Sequence, residues 1–423
     1  MKKSLIFLLT LVLFSCNRKI ASDWSMYQNN IERTALSKYP AIQNPKILWK
    51  TEIGIQGYLN NSIVVKNKIY VGSSGLQHNE GDRKDGIYCI NADNGQILWH
   101  HKTPEDACGV AYSDGKIIST GDDGFLRCLD AESGKEVWSI DRSGPLYAQP
   151  LILSDKVMVG DASGKILAVN LTTGKMAWET KVCDSNIRGG LSSDGKKIFG
   201  AFVDGTLVAL DREGKTIWQT TCQKTSYYGD LENAEIYSTP TVAGNKLIIP
   251  YVRDTYYDFP AMQAFDKNTG KLIWEATDDD KRNFNHGNLR SSVAVWNNLL
   301  LYGNPYSKNL VAINADDGKV VWDVAMGMET WPHWPSPVIA GNTLYMGRND
   351  GGFYAVDLAT RQLIWQLYLG NSSDAGEMKN VEGKSRGGWK PSYGESIYAT
   401  ASISKSGTIF IGSGDGWLYA IGE

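Results

Sequence analysis

The sequence predicts an all-β protein: an eight-bladed β-propeller of four-stranded antiparallel blades, closed by pairing its N-terminal and C-terminal strands. Three observations predict it. Seven segments share one pattern, an apolar strand, a turn and a second strand ending in Trp: 89–99, 128–138, 168–178, 209–218, 264–274, 312–322 and 355–365. An eighth copy is split, residues 45–49 (PKILW) supplying its second half and residues 417–422 (WLYAIG) its first. The 44 glycines among 423 residues, without a collagen period, call for many tight turns.

Each element follows from its residues. The first strand of a repeat ends in Asp or Asn, whose side chain can accept backbone N–H bonds two or three residues on. A Gly then takes the left-handed turn conformation, and a second strand closes on Trp. Only Arg361 departs, standing where the other turns carry Gly. Between successive Trp residues lie the two other strands of each blade. Candidates for the innermost, strand A, are 59–65, 107–113, 146–152, 186–192, 236–242, 288–295, 333–339 and 397–403. Turns such as SDGK, AGNK and SKSG lead from A into strand B. One domain, residues 23–423, results, and a closed ring leaves no open array edge.

Ahead of it, Lys2 and Lys3 precede an apolar run that ends at Ser15-Cys16. Residues 1–15 have the layout of a secretory signal. They resemble a bacterial lipoprotein signal, which implies that the mature chain begins at a lipid-modified Cys16 and is held to the membrane through residues 16–22. Five cysteines follow, Cys89, Cys108, Cys128, Cys183 and Cys222, so at least one is unpaired. Cys89 and Cys128 occupy equivalent strand positions and are expected to be buried. The formal net charge of −3 offers no basic stripe for nucleic acid.

Loop length points to one face. The A–B and C–D turns are short, whereas the insertions at 75–85, 253–260, 278–289, 323–334 and 370–396 all fall between strands B and C or between D and the next A. Loops on one side of a rigid scaffold are where binding is usually placed. These carry aromatics interleaved with Arg and His, the mixture that interface anchors and sugar-stacking sites share. Candidate partner-binding residues are Tyr237, Arg290, Trp331, His333, Trp334, Trp389 and Tyr398. For β-elimination on a uronate-containing glycan, His286, His333 or Tyr237 could serve as base and Arg290 could neutralise the carboxylate. No metal site is expected. His100 and His101 alternate to opposite faces of a strand, while Asp122-Asp123 and Asp278-Asp279-Asp280 read as solvated loop charges.

The repeat A-x-D-x-x-T-G-K-x-x-W, matched in full by 264–274, resembles the tryptophan-docking repeat of pyrroloquinoline-quinone propellers. Residues 23–27 (DWSMY) with Arg33-Thr34 resemble the lead-in segment of the same family. The resemblance implies two branches. One is the BamB-like envelope lipoproteins, which need no cofactor, sit at the outer membrane and scaffold β-barrel assembly. The other is the quinoprotein dehydrogenases, which hold pyrroloquinoline quinone with Ca²⁺. The vicinal disulfide and long insertions often found in those enzymes are missing here. The expectation is therefore a non-enzymatic scaffold without a cofactor, binding an envelope protein or glycan at its loop-rich face; the quinone with Ca²⁺ is the alternative.

Overall fold

In a computed structural model of the chain, the residues described are 24–77, 80–226, 229–252, 261–278, 289–305, 307, 309–326, 335–369 and 396–423. Every element among them is a strand. Blade 1 is built from Ile63–Val65, Lys68–Ser73, Gly86–Asn91 and Ile97–Lys102, strands A to D from the channel outwards. Blades 2 to 7 repeat this order. Blade 8 joins both ends of the chain: Lys46–Glu52 pairs antiparallel with Trp417–Gly422, Trp49 opposite Ala420. The split repeat therefore closes the ring as predicted.

Adjacent blades are joined by the repeated Trp. Its indole N–H donates to a carbonyl in the C–D turn of the next blade, as Trp99 does to Ala131, Trp138 to Leu171, Trp178 to Arg212, Trp218 to Lys267 and Trp274 to Ala315, at 2.9–3.2 Å. The ring faces the Gly of that turn: a Cβ added to Gly318 would lie 2.5 Å from Trp274. Gly318 also has a φ of +74°. Positive φ and close aromatic approach together explain why Gly recurs there. Arg361 shows how the exception is accommodated. It adopts a φ of +59° and lays its guanidinium 5.9 Å from the Trp322 ring centre.

The A strands are shorter than the sequence suggests. The candidate 186–192 yields Ser192–Ser193, and 397–403 yields Ser402–Ile403. The missing halves bond sideways, from blade to blade around the channel. Gly190 N–H donates to Thr239 Oγ1 (2.7 Å), Thr239 N–H to Ser292 Oγ (2.9 Å), and Ser292 N–H to Ser336 Oγ (2.9 Å). The belt continues from Ser336 N–H to Thr400 Oγ1 (3.1 Å) and from Thr400 N–H to Asn61 Oδ1 (2.7 Å). Each buried amide is thus satisfied outside its own sheet. In blade 2 the A strand keeps its full span, Ala107–Ser113, with a bulge after Ala107.

The lead-in forms the floor of the channel. Trp24 pairs with Val64, and the backbone then meets the A strands of other blades in turn. Tyr112 N–H donates to Ser25 O, Ser193 N–H to Ile31 O, Val242 N–H to Glu32 O, Val295 N–H to Thr34 O and Ile339 N–H to Ala35 O. All these contacts lie beside A–B turns, so this segment covers the end of the channel opposite the long loops. Arg33, fully buried, holds it down by donating to the carbonyls of Leu191 (2.9 Å), Tyr27 (2.7 Å) and Pro150 (3.3 Å).

Candidate functional site

With one end covered, the channel formed by the described residues opens toward the face of the B–C and D–A loops. In the blades where the position is described, strand register places one residue at the rim, three positions before the residue equivalent to Pro150 in blade 3. Blades 3 to 6 read Tyr147, Arg188, Tyr237 and Arg290, and blade 8 contributes Tyr398. Blade 1 places Leu59 there, while in blade 2 the bulge after Ala107 shifts the register. Each arginine lies over the tyrosine of the preceding blade. The Arg188 guanidinium is 4.0 Å from the Tyr147 ring centre and the Arg290 guanidinium 4.6 Å from that of Tyr237. Both pairs are close enough for cation–π attraction, and each ring props its arginine in one orientation.

Inside the rim is a concavity of about 300 Å³, counted with its open mouth, floored by Tyr27 and walled by Tyr58, Gln149, Thr239 and Ser292 among others. Arg188 Nη1 donates to Tyr58 Oη at 3.2 Å, and Tyr237 Oη donates to Glu235 at 3.3 Å. Burial works against the charge on Arg188, but the surrounding phenol oxygens of Tyr58, Tyr147 and Tyr237 outweigh it and its pKa is raised. Burial lifts the Tyr58 phenol to about 12 despite the neighbouring guanidinium. The Tyr237 phenol is also raised, by burial and then by Glu235. Its proton is therefore held more tightly than in water, which works against Tyr237 as a general base.

Of the sequence-predicted site residues, Tyr237 and Arg290 meet as a stacked pair on the channel wall. Tyr398 occupies the equivalent position in blade 8 and is buried. His286, Trp331, His333, Trp334, Trp389 and Cys16 lie outside the described residues. Tyr58, Tyr147 and Gln149 were not anticipated as parts of the site. The repeat register, with Tyr147 aligned to Tyr237 and Arg188 to Arg290, is the signal that could have found Tyr147.

One expectation is corrected. Asp122-Asp123 is not a solvated acidic pair. Asp123 makes a two-pronged ion pair with Arg127, at 2.9 and 2.6 Å, and its side chain is only 5 % exposed. Asp122 accepts the thiol of Cys108 at 3.2 Å. The cause is a tight turn, which brings Asp123 four residues from Arg127 on the adjoining strand, where a charge must be paired. Asp278 is buried as well, while Asp279 and Asp280 lie outside the described residues. His100 and His101 do part as predicted: His100 stacks on Tyr88 at 4.0 Å, and His101 contacts the carbonyl of Gly134 in the next blade. All five described cysteines are free, and Cys89 and Cys128 are fully buried.

A family model described as PQQ_2, outer membrane protein assembly factor BamB, matches residues 41–201, 83–252 and 184–421, overlapping windows that span nearly the whole ring. The chain belongs to this family. It is 24 % identical over 362 residues to the outer membrane protein assembly factor BamB of Burkholderia pseudomallei, covering 76 % of this chain and 90 % of that one. The other branch is similarly near. A lanthanide-dependent methanol dehydrogenase of Methylacidiphilum fumariolicum is 23 % identical over 505 residues, covering 84 % of this chain and 81 % of the enzyme. The crystal structure of BamB from Moraxella catarrhalis superposes with a TM-score of 0.62 at 16 % identity, covering 90 % of this chain and 98 % of that one. That likeness establishes the shared propeller fold.

Family membership raises the question of a quinone held with a metal ion. A hard cation needs several oxygen donors converging on one point. Among the described residues no three His, Cys, Asp or Glu side chains converge in that way. The described channel mouth is dominated instead by two guanidiniums. Among the described residues, then, no cluster of oxygen donors is present to hold a metal beside such a quinone.

Proposed function

We propose that the protein is a non-enzymatic scaffold of the cell envelope, anchored at the outer membrane through a lipid on Cys16, that docks a protein partner of outer-membrane assembly at its loop-rich channel mouth. The observation that carries this reading is the Tyr147–Arg188 and Tyr237–Arg290 pairs standing at the open end of a channel whose other end is covered. Aromatic-backed arginines are preorganised: they offer directed N–H groups without having to be ordered first. Arg188 meets tyrosines, and no carboxylate partners it among the described residues. The group it suits is an acidic side chain or a chain-terminal carboxylate of the partner.

The double variant Arg188→Ala, Arg290→Ala tests this reading. Binding to the solubilised outer-membrane protein assembly complex of the same cells should weaken by roughly 100- to 10,000-fold, the loss expected for two charge-assisted contacts of about 1.5–3 kcal/mol each. Circular dichroism should show an unchanged fold. Undiminished binding by the folded variant would refute the proposal. Binding moved instead to acidic polysaccharide would transfer the same site to a glycan.

A further inference from the structure

The lead-in that covers the channel also determines where the chain before it leaves the propeller. Trp24 is bound in both directions to Val64, its N–H to Val64 O at 2.8 Å and Val64 N–H to Trp24 O at 3.0 Å. Val64 belongs to the innermost strand of blade 1, next to its A–B turn. The chain therefore enters the ring near its axis, on the face made of A–B and C–D turns. Cys16 stands eight residues before Trp24. Eight residues reach at most about 28 Å even when fully extended.

That length restricts what the anchored molecule can do. To reach the plane of the loop-rich face from Val64, the tether would first cross a blade from strand A to strand D, about 15 Å at ordinary strand spacing. It would then climb the outer edge, about 23 Å for a seven-residue strand. The path of about 38 Å exceeds the tether's reach. The route through the channel is filled by the lead-in itself, with Arg33 at its centre.

We infer that the face of A–B and C–D turns docks on the bilayer that holds Cys16, while the loop-rich mouth points away from it. The inference rests on the reading of Cys16 as lipid-modified. The surface of the lead-in suits a lipid headgroup region. Leu36 is 40 % exposed, Lys38 is exposed, and Lys38 Nζ lies 5.8 Å from the Tyr39 ring centre. An aliphatic, a lysine and an aromatic side by side are the composition of interfacial segments. Several lysines of this face are already engaged between blades, Lys68 with Glu132, Lys197 with Asn268 and Lys246 with Asp316. Tether length and the lead-in surface, rather than a general positive charge, orient the molecule.

The test uses the full lipidated protein in phosphatidylcholine vesicles containing a lipid spin-labelled at its headgroup. In a Cys183→Ala background, one variant carries a fluorophore on Asn342→Cys, in the A–B turn of blade 7. A second carries it on Asp184→Cys, in the D–A connection after blade 3. Quenching at position 342 should exceed that at 184 by at least threefold. Equal quenching, or stronger quenching at 184, on vesicle-bound protein overturns the orientation. Anchoring is read separately, by flotation with vesicles of the wild type and of Cys16→Ser. If the two float alike, the anchoring premise itself fails, and the orientation with it.

Discussion

Trp274→Ala should destabilise the ring by about 3–5 kcal/mol in a urea titration, the range for truncating a buried Trp. The indole is 8 % exposed, donates to Ala315 O at 3.1 Å in the next blade, and covers Gly318. Truncation opens a cavity between blades 5 and 6 and leaves that carbonyl without its donor. The adjacent Ile273 is 41 % exposed, so Ile273→Ala should change stability by no more than about 0.5 kcal/mol. Two neighbouring residues of one strand, apolar in sequence, thus differ severalfold in their expected effect. Equal losses at 273 and 274 would mean that the docking contact is not what joins the blades.

Arg33→Ala should cost about 3 kcal/mol and release the lead-in, since three buried carbonyls lose a charged donor together. Burial already depresses the Arg33 pKa to about 10, with only carbonyl and aromatic groups around the guanidinium. Lysine is no substitute: one ammonium cannot reproduce a planar fork aimed at Leu191, Tyr27 and Pro150. The backbone here is held in costly conformations as well, with positive φ at Gln28, Asn29, Arg33 and Ala35. Once Arg33 is lost, those residues have reason to relax. Limited proteolysis should then cut between residues 24 and 37 in Arg33→Ala and not in the wild type. Resistance in both would show that the backbone contacts suffice.

The fold was legible in the sequence because its information is local and repeated. Six turn glycines each report one positive φ and eight strand-end Trp residues each mark one blade boundary, and the split repeat at 45–49 and 417–422 could only be completed by closure. The A strands were over-extended for a physical reason. Residues 186–191 and 397–401 read as strand from their residue types, but the amides of Gly190 and Thr400 bond to side chains of other blades, Thr239 and Asn61, a partnership no pattern within a blade reveals. The channel floor was hidden similarly. Arg33 was visible as part of a lead-in, yet its three carbonyl partners lie up to 158 residues away. At the mouth, Tyr237 and Arg290 were singled out from composition, whereas Tyr58 has no place in the rim register. Its role appears only when Arg188 is brought to it in space.

Photocrosslinking in cells addresses most directly whether recognition belongs to the open mouth. A photoreactive phenylalanine derivative replacing Tyr147 sits at the rim, and the same residue replacing Asn342 sits in an A–B turn on the opposite face. A protein adduct from position 147 and none from 342 is the result predicted. An adduct from 342 with none from 147 would contradict the assignment of function to the arginine-lined end of the channel.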